Sequence, residues 1–119
     1  MSVAPHYSPA VRTGDLVFTS GQLPLLDRDA KTTPATIEEQ TRLVLERAEA
    51  AIGEFGLSRK DIVKTTAFIS NMDDWGKVNA IYAEFFGDHK PARSIIPTPP
   101  LHFGCLIELE AIAAMNAEA

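Results

Sequence analysis

Ile37, Val44, Ala48, Ala51, Ile52 and Phe55 recur at three- and four-residue spacing, which puts them on one stripe of a helix. Thr36, with Glu39 three residues on, has the makings of a capping box, each side chain meeting a free backbone donor of the other. Gly56 stands where a left-handed C-terminal cap is favoured, so the pattern predicts a helix over 37–55. Asn71 and Asp73 offer caps for a second helix, whose apolar stripe is Trp75, Val78, Tyr82 and Phe85. Strands carry a different signature. Leu16 to Ser20 is rich in strand formers and closed by Gly21, and the turn residues Gly14 and Asp15 pair it with a short strand over 10–13. Asp61 to Ile69 is β-branched and long enough for a buried strand. Ala92 to Ile96 is extended after Pro91, whereas Pro97 to Pro100 cannot donate a regular ladder and belongs to an edge or loop. The polar stretch 27–34 reads as a loop. From Cys105 to Ala113 the chain alternates, with Cys105, Ile107, Leu109, Ala111 and Ala113 on one side and Leu106, Glu108, Glu110 and Ile112 on the other.

The order is two strands, helix, strand, helix, two strands: an α/β (α+β) chain. Its simplest packing is one mixed sheet with both helices on one face. The last strand then carries two glutamates beside Leu106 and Ile112 on one face and is too apolar on the other for free solvent. Such a sheet points to a covering subunit and hence an oligomer.

A chain of 119 residues is one domain, 1–119, and buries roughly two thirds of its unfolded surface. No run of apolar residues reaches the length of a membrane helix. The first residues lack the basic start and apolar stretch of a signal peptide, and the single cysteine, Cys105, suits a reducing compartment. A cytoplasmic protein is expected. The net charge of −5, with Lys and Arg scattered, weighs against duplex nucleic acid, though a local positive pocket can still hold a small anion.

Candidate chemistry starts from what is missing. Metal motifs, phosphate loops and dinucleotide fingerprints are absent, and His6, His89 and His102 lie far apart in sequence, so no metal site is expected. Ser20 lies at a strand end where a turn exposes amides and a hydroxyl; turn chemistry alone also explains it. Cys105 reads as a small apolar core residue. Arg93 sits in an apolar stretch where an unpaired guanidinium is expensive to bury. It must reach solvent, pair with a carboxylate such as Glu108 or Glu110, or await an anionic ligand, whose carboxylate its planar fork suits. Glu108 and Glu110 share one strand face, about 7 Å apart. One of them is expected to have a raised pKa, as a water-orienting base or general acid requires. The alternative is a rim residue beside one paired across a subunit boundary.

Taken in order, Tyr7, Leu16–Pro24, Asp61–Ile69, Val78–Tyr82, Phe85-Phe86, Pro91–Ser94 and Ile107–Ala113 resemble the Rid/YjgF family of reactive-intermediate deaminases across nearly the whole chain. The resemblance implies a chorismate-mutase-like fold assembled as a homotrimer. Three sheets form an inner β-barrel there, with helices outside and clefts between neighbours. It implies hydrolysis of small 2-imino or 2-aminoacrylic acids, which leak from pyridoxal-phosphate dehydratases, to 2-keto acids and ammonia. Carried onto this chain, Arg93 would bind the substrate carboxylate and Glu108 would orient or deprotonate water, helped by the Ile95 carbonyl. Tyr7 and Ser20 would line the pocket, and the Gly21 amide would meet the carboxylate or amine end. No cofactor is implied, since an imine carbon is already electrophilic.

The chain departs from the family pattern at Ile95, where deaminating relatives often carry cysteine, and in 96–104, which brings bulk and His102 toward the cleft. Three readings stand: an imine/enamine deaminase, with a larger aminomuconate-like imine as its nearest variant; a non-catalytic, small-carboxylate-binding regulatory or chaperone-like trimer; and a ribonuclease or translation inhibitor, which the acidic charge disfavours.

Overall fold

The computed structural model describes residues 4–115. Helix α1 (Ile37–Gly53) begins at Thr36, whose hydroxyl accepts the Glu39 N–H at 3.1 Å. The expected reciprocal bond takes another form: the Glu39 carboxylate accepts the Thr36 hydroxyl proton at 2.9 Å. At the other end Gly56 donates to Gly53 and Leu57 to Ile52 through their backbones, with Gly56 at φ 78°. That is the paired-bond terminus for which glycine is favoured, and it buries Leu57 beside Ile52 in the core.

Helix α2 (Trp75–Phe86) follows a short turn, Met72–Asp74, that Asn71 caps through the Asp73 N–H at 2.9 Å. Val78, Tyr82 and Phe85 face inward as their spacing requires, joined by Ile81 and Phe86. Trp75 does not: it is 42% exposed. The reason is its position on the first turn of α2, beyond the sheet's cover, where its ring meets Arg93.

Strands β1 (Ala10–Thr13), β2 (Leu16–Thr19), β3 (Ile62–Ile69), β4 (Ala92–Pro97) and β5 (Ile107–Ala114) form one sheet in the order β1-β2-β5-β3-β4. The sheet is mixed. β3 and β4 are parallel and joined through α2, while β5 runs antiparallel to both neighbours. Asp61 lies outside β3, in a tight turn where its carboxylate accepts the Ser58 N–H.

Alternation along β5 separates the two faces. Ile107, Leu109, Ala111 and Ala113 are buried against α1 and α2, with Val17, Ala67 and Ile69 beside them. Each large aliphatic side chain buried there contributes roughly 1.5–3 kcal/mol. Gln40, also buried, ties α1 to the start of β5 by donating to the Pro34 carbonyl and accepting the Leu106 N–H. The other face has no helix, and Val11, Leu16, Phe18 and Ile96 remain exposed. Two helices on one face of a mixed sheet is the layout the sequence pattern predicts.

Candidate active site

The site is built around an irregularity between β2 and β5. Phe18 stands opposite Ile112, and pairing resumes with Gln22 opposite Leu109. Four steps on one strand thus face three on the other, which makes a bulge at Thr19–Gly21. The buried Thr19 hydroxyl fills the gap by accepting the Ala111 N–H at 3.0 Å. Gln22 and Leu109 then exchange both backbone bonds, at 2.7 and 3.1 Å, and fasten the loop onto β5.

Ser20 is pushed out of the ladder. Its N–H donates to the Pro9 carbonyl at 2.9 Å and its hydroxyl to the Ser8 carbonyl at 2.6 Å, which holds the segment carrying Tyr7 beside it. With its proton so engaged, the Ser20 oxygen is left as an acceptor. Gly21 faces Glu108 across the bulge. A Cβ on Gly21 would overlap the Glu108 carboxylate, with Cδ only 2.9 Å away.

Glu108 is half-buried on the helix-free face. Burial raises its pKa above the usual glutamate value, the charge of Glu110 pushes the same way, and His102 opposes them. Of the two glutamates, Glu108 is the one so shifted. Cys105 is buried, and burial followed by the Glu108 charge raises its pKa, so the thiol stays protonated and is a poor nucleophile.

Tyr7, Ser20, Gly21 and Glu108 all line one cavity of about 1010 Å³. His102 and Phe103 close one side of it, as the sequence expectation for 96–104 had it. Among the described residues no three His, Cys, Asp or Glu side chains cluster as a metal ion would require.

Arg93 and Ile95 lie elsewhere, on the edge strand β4. Arg93 pairs with Thr65, which pairs with Ala111, while Glu108 pairs with Phe68. Two strand spacings, roughly 10 Å, therefore separate β4 from β5, and the two side chains leave opposite faces of the sheet. Arg93 turns toward α2. It donates to the Asn79 side-chain oxygen at 2.9 Å, and its guanidinium carbon lies 4.9 Å from the Tyr82 ring centre and 5.3 Å from that of Trp75. Tyr82 is held in turn by a 2.9 Å hydroxyl–hydroxyl bond with Thr65. An ion pair of Arg93 with Glu108 or Glu110, one of the alternatives the sequence left open, is not formed within the chain. Among the described residues the ion pairs are Arg42–Glu84 and Arg59–Glu49. The Ile95 side chain packs on the same helix-facing side, against the core.

Sequence reasoning missed Asn79, the partner of Arg93, and the basic residues Arg28, Lys31 and Arg47 of the cavity wall. Asn79 lies four residues after Trp75 and three before Tyr82, a spacing that places all three on one helix face. For Arg28 and Lys31 the only local signal is two bases in a polar loop.

Comparison with known proteins agrees with this architecture. A model of the family described as Endoribonuclease L-PSP matches residues 1–115. A RutC family protein of Pyrococcus horikoshii is 39% identical over 107 residues, covering 90% of this chain and 85% of that protein. The 2-iminobutanoate/2-iminopropanoate deaminase of Escherichia coli is 38% identical over 110 residues, with 90% and 85% covered. The crystal structure of E. coli TdcF with bound serine matches with a TM-score of 0.86 at 36% identity, over 97% of this chain and 91% of that one. The chain belongs to the Endoribonuclease L-PSP family, known also as the YjgF/Rid family.

Proposed function

We propose that this protein is a cofactor-independent deaminase that hydrolyses small 2-imino and 2-aminoacrylic acids to 2-keto acids and ammonia, in the cytoplasm, at clefts between the subunits of a homotrimer. The observation that carries the reading is the seating of Glu108, a half-buried carboxylate with a raised pKa, against Gly21 in the cavity that Tyr7 and Ser20 also line. Relatives named as deaminases support the reaction class. The acidic net charge argues against RNA as substrate.

One chain holds an incomplete site, because Arg93 stands two strands from Glu108, on the edge strand β4, and its side chain leaves the opposite face of the sheet. A second copy, packed on the helix-free face that carries Val11, Phe18 and Ile96, brings its own β4 to the cavity. Three such contacts close a trimer around an inner barrel. In this arrangement Arg93 of one subunit grips the substrate carboxylate through two parallel bonds. Asn79 and the rings of Trp75 and Tyr82 hold the guanidinium ready. Glu108 of the neighbour, with the Ile95 carbonyl, positions a water at the imine carbon.

The water oxygen bonds to C2 of the protonated imine while the C=N electron pair moves to nitrogen, and Glu108 takes the proton that the water loses. Glu108 then gives that proton to the amine nitrogen of the carbinolamine. As the C–N bond breaks and ammonia leaves, the hydroxyl yields its proton to the Glu108 carboxylate and its O–H electron pair closes the C2=O bond of the keto acid. A 2-aminoacrylic acid first takes a proton at C3 and enters as the same protonated imine. A carboxylate whose proton affinity is raised suits both the base and the acid step. Tyr7, Ser20 and the Gly21 amide orient the amine end.

The test generates 2-imino acids in place with an amino-acid oxidase and traps the remainder with semicarbazide. Wild type should suppress trapping, and the Arg93→Ala variant should not. Unaffected trapping across small, branched and aromatic imines would move the protein to the small-carboxylate binders.

A further inference from the structure

The cavity runs from the reacting end at Glu108 and Gly21 to the turn between Asp27 and Thr32, which pair across it in an isolated bridge. Asp27 shapes this turn by accepting the N–H groups of Asp29 and Ala30 at 2.8 and 3.1 Å.

Three cations stand along this part of the wall: Arg28, Lys31 and Arg47. Two acids, Asp29 and Glu108, share the cavity lining with them. None of the three cations has a carboxylate partner among the ion pairs of the described residues. Each is held in place instead. The Arg28 guanidinium lies 3.4 Å from the Tyr7 hydroxyl. Lys31 donates to the Arg28 carbonyl at 2.7 Å and sits 5.0 Å from the centre of the Phe103 ring. Arg47 donates to the Leu23 carbonyl at 3.2 Å. Lys31 and Phe103 also have positive φ, 57° and 61°, which bulky residues seldom adopt.

We propose that Arg28 and Lys31, with Arg47 behind them, form a distal anion subsite that selects 2-imino acids carrying a second carboxylate. The inference rests on the deaminase reading for its chemistry and adds the substrate class to it. Glu108 and Gly21 occupy the reacting end, Tyr7 spans the middle, and the bases of the turn receive the far carboxylate. An acid of this class reaches both ends, whereas a short aliphatic imine leaves the bases unused.

The test compares 2-iminoglutarate with 2-iminobutanoate, each generated in place by an oxidase, in the trapping assay at low salt. Wild type should favour the dicarboxylic imine in kcat/KM. That preference should fall at least threefold in Lys31→Gly and in Arg28→Gln, and at least tenfold in the double variant. Lys31→Gly suits the purpose because glycine accepts the positive φ without strain. Equal wild-type rates, or a preference unchanged in the variants, would overturn the subsite. Should neither imine be turned over, the deaminase reading falls, and calorimetric titration with glutarate and butanoate judges the subsite by itself. Glutarate binding at least tenfold tighter than butanoate, lost in the double variant, supports it; equal affinities overturn it.

Discussion

The Glu108 carboxylate fills the space in front of Gly21 that the Cβ of any other residue would occupy. Gly21 lies outside the left-handed backbone region, so alanine is conformationally acceptable there and the conflict is with Glu108 alone. Only the end of one flexible side chain must move. Gly21→Ala should therefore keep stability within about 1 kcal/mol of wild type, while imine hydrolysis falls at least tenfold. Melting curves and kcat/KM measured on the same preparation check this. A fully active variant would detach Glu108 from the reaction.

Glu108 also sets a pH dependence. Its folded pKa lies above 4.5, the ordinary glutamate value, chiefly through burial and then through Glu110. The folded state therefore holds this proton more tightly than the unfolded chain. Stability from this group falls as pH rises from 4.5 through the raised folded value, and the loss is complete above it. Glu108→Gln should be more stable than wild type near pH 8, with the advantage vanishing in acid below the glutamate range. Urea titrations at both ends of this window measure it. In catalysis the base limb of kcat/KM should rise through a value above 4.5.

Arg59 makes a separate, purely structural prediction. It grips Glu49 through bonds of 3.0 and 2.8 Å, donates to the Phe85 carbonyl at 3.0 Å, and stacks 3.8 Å from the Phe85 ring centre. The Arg59 side-chain bond holds the Glu49 pKa below 4.5. Glu49 thus adds stability above 4.5 that is lost as pH falls through its lowered folded value. Arg59→Ala should cost about 1 kcal/mol at neutral pH, given how exposed the pair is. The gap to wild type should narrow in acid, as denaturant melts at pH 7 and pH 3 would show. A gap of constant size would assign it to packing alone.

Local pattern carried most of the framework. The stripe from Ile37 to Ile52 fixed α1, and the alternation from Ile107 to Ala113 put Glu108 and Glu110 on one face of β5, apart from its apolar residues. Trp75 misled because its spacing is that of a core residue, while what covers a helix's first turn depends on a strand eighteen residues away. The bulge at Thr19–Gly21 was illegible for a similar reason: it exists only in the register of β2 against β5, which no local window contains. Arg93 could be read as a charge needing a partner, yet the partner, Asn79, is neutral and brought near by the packing of α2 on the sheet. Arg28 and Lys31 meet the cavity only because the bridge from Asp27 to Thr32 folds the loop back over it.

In the proposed trimer, imine hydrolysis needs Arg93 of one subunit and Glu108 of another. Arg93→Ala and Glu108→Gln chains, each inactive alone, should be unfolded together in equal amounts, refolded and assayed by semicarbazide competition. Random assembly leaves about a quarter of the clefts with both wild-type residues in a closed ring, so roughly that share of wild-type activity should return. A mixture as inactive as its components, beside an active wild type refolded in the same way, would contradict the account.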